Sequence, residues 1–475
     1  MKQKRIAVIG AGPAGMTAAY RLVQHGLPTE VFEAENRVGG LARTLDLWGQ
    51  KVDIGPHRFF SNDTRVNKLW LEVAGGDYRM IDRLTRIYYQ KKFFHYPLKP
   101  FDALGNLGIF TATLCMLSYL REKVCPSPLD GSFEAWVKNR FGARLYSIFF
   151  KTYTEKLWGI SCSDLDADFA AQRIKKLSLW EAVRNAFTGG RGNQHKTLVD
   201  QFAYPTSGTG MIYQRMQHYI DGHGGAVHLN RPVQRILTRN QKACAVELTD
   251  GTVREFDEII SSMPLSVMVS RLPDVPEHIR NFAQSLIYRN TIIVYLKVEA
   301  SQLFPDNWLY VHAPDLQTGR ITNFRNWAPE LNAGQESTIV AMEYWCYNED
   351  ELWNAGDDVL TDLGRKELAM TGLVGNAAVT DGFVFRIPCC YPVYSKGYKF
   401  WLKPVENYLC TIHNLHVIGR YGAFKYNNQD HSILMGLLAA ENIANRTAHN
   451  LWEINTDYED YQEKSRITET GLCAG

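Results

Sequence analysis

The chain has 475 residues, 45% apolar and 21% charged, the make-up of a globular protein too long for one ordinary core. A formal net charge of +2 gives no ground for a nucleic-acid partner. The nine cysteines are odd in number and scattered, with only Cys389 and Cys390 adjacent. No metal site or disulfide framework is therefore implied, and reduced thiols in a cytoplasmic protein are expected.

Taken in chain order, Lys4–Gly40 reads as strand, glycine turn, helix and a second strand ending in an acid. Ile6, Val8 and Ile9 form the apolar run. Gly10-Ala11-Gly12-Pro13-Ala14-Gly15 is the turn, Met16–His25 the helical stretch, and Glu30-Val31-Phe32-Glu33 the second strand. The three glycines permit a tight turn, a close approach of backbone to pyrophosphate, and helix–strand packing. The phosphates would sit on the helix N-terminus, and Glu33, roughly 20 residues on, would accept from ribose hydroxyls. The nucleotide strand starts so early that no signal segment is expected.

Asn36-Arg37-Val38-Gly39-Gly40-Leu41-Ala42-Arg43-Thr44 follows, with adjacent glycines and an arginine able to pair with phosphate. Val52-Asp53-Ile54-Gly55-Pro56-His57-Arg58-Phe59-Phe60 holds a Gly-Pro turn that presents His57. Ala103–Leu120 carries no charged residue, but Gly105, Asn106, Gly108, Thr111, Thr113 and Ser118 interrupt it. A buried or half-buried helix of a second domain is expected there, rather than a membrane-touching surface. Phe150-Lys151-Thr152-Tyr153-Thr154-Glu155-Lys156-Leu157-Trp158-Gly159 is dense in aromatics, and Gly189–Asn193 is the expected mobile loop. Phe256–Pro264 reads as a returning strand. Tyr288-Arg289-Asn290-Thr291 opens a β-rich run, and Thr322–Pro329 and Tyr391-Pro392 follow it. Leu415–Arg420 is the last strand, and Ser432–Ala444 the last helix.

The strand–GxGxxG–helix–strand–Glu unit followed by R-x-G-G-x-x-R-T resembles the flavoprotein superfamily of amine oxidases, protoporphyrinogen oxidases, phytoene desaturases and UDP-galactopyranose mutases. The resemblance implies FAD. Gly10, Gly12, Pro13, Ala14 and Gly15 would cradle it, with Glu33 and Ala34 at the ribose. Gly39, Gly40, Leu41 and Arg43 would lie along pyrophosphate and flavin, joined by His57, Val233, Gly419, Arg420, Asn428, Asp430 and Ser432. The implied fold is α/β, a Rossmann-type FAD-binding domain with a mixed-sheet substrate domain and a helical insertion. The FAD domain would come from residues 1–75, 201–270 and 406–475, a mostly helical domain from 76–200, and a β-rich substrate domain from 271–405.

Within that superfamily four segments resemble the UDP-galactopyranose mutases: the G-P-H loop, Y-T-x-K-x-W-G, the strand opening at Tyr288, and Gly419-Arg420-Tyr421-Gly422-Ala423-Phe424-Lys425-Tyr426-Asn427-Asn428-Gln429-Asp430-His431-Ser432. Thr322–Pro329 is similar to a segment of the eukaryotic-type mutases. The resemblance puts Tyr153 on the base, Trp158 in the sugar pocket, and Arg173, Arg289, Tyr391, Arg420, Tyr426 and Asn428 on the diphosphate. His57 would shape the reactive edge of the flavin; an ordinary structural histidine is its alternative. The chain departs from bacterial mutases by extra residues around Asp102–Leu129 and Glu349–Gly375. The implied reaction interconverts pyranose and furanose rings, with His57, Arg289 and Arg420 in catalytic roles and reduced flavin as the nucleophile. Its implied partners are a nucleotide sugar and a flavin reductant, with homo-oligomerisation open. The alternative is an FAD-dependent oxidoreductase of the protoporphyrinogen oxidase or amine oxidase type.

Overall fold

The computed structural model describes residues 4–98, 100–169, 201–454 and 465–474. It divides into two compact units. The first combines the chain up to Ile81 with Phe202–Ile287 and the chain from Lys399 onward; the second combines Asp82–Gln201 with Tyr288–Tyr398. The second stretch of the first unit runs to Ile287, beyond the residue 270 read from sequence, because the helices Leu265–Ser270 and Glu277–Gln284 pack on each other and the former touches the helix Gly419–Gly422.

The first unit is built on a five-stranded parallel sheet ordered Leu415–Val417, Glu258–Ser261, Ile6–Ile9, Thr29–Phe32, Ala226–His228. Ile6, Ala7 and Val8 are fully buried, as expected of a strand covered on both faces. The helix Pro13–Gln24 begins on Pro13, whose missing N–H costs nothing at that position. It packs along Gln429–Ala444, the last helix, which starts earlier than the sequence suggested. A three-stranded antiparallel sheet (Val233–Arg239, Lys242–Leu248, Val253–Glu255) completes the unit's main sheets.

The second unit holds a seven-stranded mixed sheet ordered Val379–Pro392, Tyr288–Val298, Thr338–Cys346, Arg320–Asn323, Trp308–Val311, Thr85–Tyr89, Lys92–His95. Only Trp308–Val311 beside Thr85–Tyr89 runs parallel; the other pairs are antiparallel. Every residue of Thr338–Cys346 is buried. Short helices from Pro100 to Trp158 precede the central strands.

Ala103–Leu120, expected as one helix, is two. Gly108, at φ +79°, breaks the stretch into Pro100–Leu107 and Ile109–Val124. The second helix buries Ala112 and Cys115, but exposes Ile109, Phe110, Met116, Leu117 and Leu120. No described helix is long and apolar enough to cross a membrane. None of the nine cysteines is in a disulfide.

Candidate functional site

The first unit forms a dinucleotide cradle from backbone. Gly10 has φ +96°, and a Cβ there would lie 2.4 Å from Ser262 Oγ; a Cβ on Gly15 would lie 2.0 Å from the Gly10 carbonyl oxygen. Gly12 is different: the nearest atom to its would-be Cβ is Gly40 Cα, at 3.9 Å. Gly10 and Gly15 thus serve the turn and its packing, while Gly12 keeps the approach open. The helix that follows has no side-chain cap at its N-terminus, leaving its first N–H groups for an anion.

The Glu33 carboxylate accepts from the Ala11 N–H (2.6 Å) and the Glu35 N–H (3.0 Å). Two oxygens anchored by backbone keep lone pairs for vicinal hydroxyls. Ala34 is exposed beside it. The Arg231 N–H donates to the Glu33 carbonyl (2.8 Å), which carries the buried Val233 to the same end of the cradle. Gly39 and Gly40 both have positive φ and lead through Leu41 to Arg43, whose Nε donates to the Gly40 carbonyl (2.9 Å).

Asp53 was not singled out by sequence reasoning, yet it organises the G-P-H loop. It accepts from Thr44 Oγ1 (2.6 Å), the Tyr204 hydroxyl (2.6 Å) and the Thr209 N–H (3.1 Å). Burial pushes its carboxyl up to about 6 against the pull of these donors. Thr209 Oγ1 in turn donates to the His57 carbonyl (3.3 Å), and the His57 ring meets the Ile54 carbonyl at 2.8 Å through Nε2. The available signal was one acid inside the otherwise apolar Val52–Ile54 run.

The C-terminal signature seats on the same cradle. Gly419 has φ +82°, and its would-be Cβ lies 3.2 Å from Ala14 Cβ. Arg420, the next residue, donates to the Asn427 carbonyl (2.9 Å) and lies 4.6 Å from the centre of the Tyr426 ring. Asn428 is the exposed N-cap of Gln429–Ala444, Asp430 lies in its first turn, and the buried Ser432 donates its N–H to the Asn428 carbonyl.

The second unit supplies an aromatic wall. Tyr153, half-buried on Thr152–Trp158, stacks on His312 (5.0 Å, 16°) and meets Tyr310 and Trp345 edge-on. Burial, with Lys156 nearby, pushes the His312 imidazole down to about 3, so it is neutral at any working pH. Lys156, another residue not given a role by sequence, donates to the carbonyls of Ala313 (2.6 Å), Val311 (3.2 Å) and Thr318 (3.3 Å) and pins that loop to the helix. Burial lowers its ammonium to about 8.

Arg289 is buried and already engaged. Its Nη2 donates to the Trp345 carbonyl (2.8 Å), Nη1 meets Asp350 Oδ2 at 3.2 Å, and the guanidinium lies 4.1 Å from the centre of the Tyr347 ring. Its register partner across the sheet is Tyr391. Trp158, expected in a sugar pocket, has its ring wholly covered, set against Phe169, Tyr391 and Tyr394, and its carbonyl accepts from the Tyr347 hydroxyl. Asn323 and Asn326 of the Thr322–Pro329 segment both donate to the Phe304 carbonyl (2.9 Å each). Arg173 and the Gly189–Asn193 loop lie outside the described residues.

The fold and cradle define an FAD-binding protein. The chain belongs to the family of flavin containing amine oxidoreductases, whose profile matches residues 13–444. Coproporphyrinogen III oxidase of Staphylococcus aureus (strain NCTC 8325 / PS 47) is 20% identical over 292 residues, 56% of this chain and 62% of its own. A probable UDP-galactopyranose mutase of Klebsiella pneumoniae is 27% identical over 179 residues, 35% and 44% of the two chains. The chain spans 62%, 55% and 54% of the length of that oxidase and of two phytoene desaturases. Among solved structures, a reduced UDP-galactopyranose mutase superposes with TM-score 0.85 at 20% identity, over 96% of this chain and 97% of its own. A putative protoporphyrinogen oxidase from Exiguobacterium sp. 255-15 gives 0.72 at 17% identity, over 94% and 100%. These structural likenesses establish the fold. The cofactor is FAD, and the open approach at Gly12, the uncapped helix and the anchored Glu33 carboxylate fit it.

Proposed function

We propose that the protein is a mutase that interconverts pyranose and furanose forms of a nucleoside diphosphate sugar without net redox change. The observation that carries this reading is Arg420, next in chain to the glycine that abuts Ala14 of the FAD cradle, with Tyr426 under its guanidinium. A planar, permanently charged fork beside the cofactor suits a diphosphate. When bound and reduced, the flavin supplies the nucleophile for the anomeric carbon. The bond between that carbon and the diphosphate oxygen breaks, the ring opens and recloses through another hydroxyl, and the same bond re-forms. Arg420 and Tyr426 bear the charge of the departed diphosphate and hold it for return. Within the second unit, Tyr153 offers a flat aromatic face and Arg289 a guanidinium, residue types that suit a base and a phosphate. The thiols and the reaction suit the cytoplasm.

An FAD-dependent oxidoreductase is the second reading. It is favoured by the engagement of Arg289 with Asp350 and by the enclosure of Trp158, which take two expected ligand contacts out of use.

Positional isotope exchange decides between them. A UDP-hexose carrying ¹⁸O in the anomeric bridge is incubated with dithionite-reduced protein. Scrambling of the label into non-bridging positions supports the mutase. An intact bridge for every nucleoside diphosphate sugar tried, together with oxidation of a substrate by oxidised flavin, sinks it.

A further inference from the structure

We propose that the helix Ile109–Val124 is a docking face for an anionic lipid surface, on which the protein lies without spanning. The sequence puts apolar residues at 109, 110, 116, 117, 120 and 124, a helical spacing that forms one stripe. The structure leaves that stripe in solvent: Ile109 is 87% exposed, Phe110 75%, Leu117 56% and Val124 81%. Thr113 lies in the same stripe, and its hydroxyl is turned back to the Ile109 carbonyl (2.8 Å), so it needs no water. The opposite face is occupied, with Cys115 in a core cluster beside Phe94 and Phe149. The exposed stripe is therefore not what holds the helix in place. A contiguous apolar surface of this kind marks an interaction site rather than ordinary scatter.

Charge selects the occupant. The exposed charged residues of this helix and of the helices packed on it, Pro100–Leu107, Phe133–Phe141 and Ala143–Tyr146, are Arg121, Lys123, Arg140 and Arg144. Each acid nearby has a partner within the chain. Glu122 is buried and accepts from Ser127 (2.9 and 3.0 Å); half-buried Asp102 accepts from the His95 N–H (2.9 Å) and from Asn106 Nδ2 (3.1 Å); Glu134 pairs with Lys138; and Asp130, at the surface, meets Lys396 at 3.1 Å. An apolar stripe bordered by cations is the pattern of an in-plane helix on anionic lipid. A second copy of the same face would instead set cations against cations across a two-fold axis. At 16 residues with basic residues in its last turn, the helix is too short to cross a bilayer.

The test is flotation of the FAD-loaded protein with vesicles of phosphatidylcholine alone or mixed with phosphatidylglycerol, beside sedimentation velocity without lipid. Wild type is expected to float with the anionic vesicles only, and less so at high salt. Phe110→Ser with Leu117→Ser should weaken flotation by roughly ten-fold or more, with the flavin spectrum and sedimentation coefficient unchanged. Arg121→Gln with Lys123→Gln, which leaves the apolar stripe intact, should also weaken it by roughly ten-fold. Wild type that stays at the bottom with anionic vesicles overturns the proposal. So does equal flotation with both lipids, or flotation unaffected by either pair. So does a lipid-indifferent dimer that the serine pair turns into a monomer.

Discussion

At the scale of single residues, Asp53 has the most definite consequence. Its folded-state pKa of about 6 exceeds its ordinary 3.8, because burial outweighs the donors around it. The folded protein therefore binds this proton more tightly than the unfolded chain. Its stabilising contribution is full below the ordinary value and is lost as pH rises through about 6, a change of about 2–3 kcal/mol. Asp53→Asn removes the titration. The melting temperature of wild type relative to this variant should fall between pH 4 and pH 6.5, and parallel curves would refute the assignment. Gly159 gives a second prediction. It has φ +66°, and a Cβ there would come 2.4 Å from Arg289 Cζ. Gly159→Ala should destabilise by about 1–3 kcal/mol and displace Arg289. A crystal structure of the variant with Arg289 still on Tyr347 and Asp350 would contradict it. The glycine was legible as part of a motif, but its reason was not: Arg289 lies far along the chain, on another element.

At the scale of elements, the dinucleotide unit was readable because its signals are local: an apolar run, spaced glycines, and an acid at the end of the next strand. The exposed face of Ile109–Val124 was not legible, because absence of charge implies burial only when another element covers the surface, and no local pattern reports the cover. The enclosure of Trp158 was not legible either, since a motif names a residue type but not which neighbours enclose it. Asp350 escaped notice because its partnership with Arg289 is tertiary. The pairing of the two long helices of the first unit was equally invisible, and it makes a prediction. A Cβ on Gly436 would lie 2.4 Å from the Ala14 carbonyl oxygen and 3.1 Å from the Ala18 backbone nitrogen. Gly436→Val should push Gln429–Ala444 off Pro13–Gln24, costing about 1–3 kcal/mol. Because Ala14 belongs to the cradle, FAD should also be lost more readily on dialysis. Glu33→Ala, which removes the anchored acceptor without touching either helix, should weaken FAD by about 2–4 kcal/mol, at charged hydrogen-bond values. Tight FAD retention in both variants, measured by fluorescence of released flavin, would argue against this account of the cradle.

At the scale of the whole molecule, the chemistry is divided. The cradle, the G-P-H loop and the Arg420–Tyr426 pair belong to one unit; Tyr153, Arg289 and Tyr391 belong to the other. The mutase proposal is anchored on Arg420 and is tested there. Arg420→Lys keeps the charge but loses the planar fork, so it should weaken UDP binding to the reduced protein. Arg420→Ala should also slow turnover by roughly 10²–10³-fold, the loss expected for one preorganised charge stabiliser. Arg289→Lys, in the other unit, tests separately whether that guanidinium serves a ligand or only Asp350 and Tyr347. UDP binding by calorimetry that is unchanged in Arg289→Lys would leave the buried Arg289 a structural partner alone. UDP binding that is absent from wild type, or indifferent to Arg420→Lys, would make hydride transfer to FAD the better account of the site.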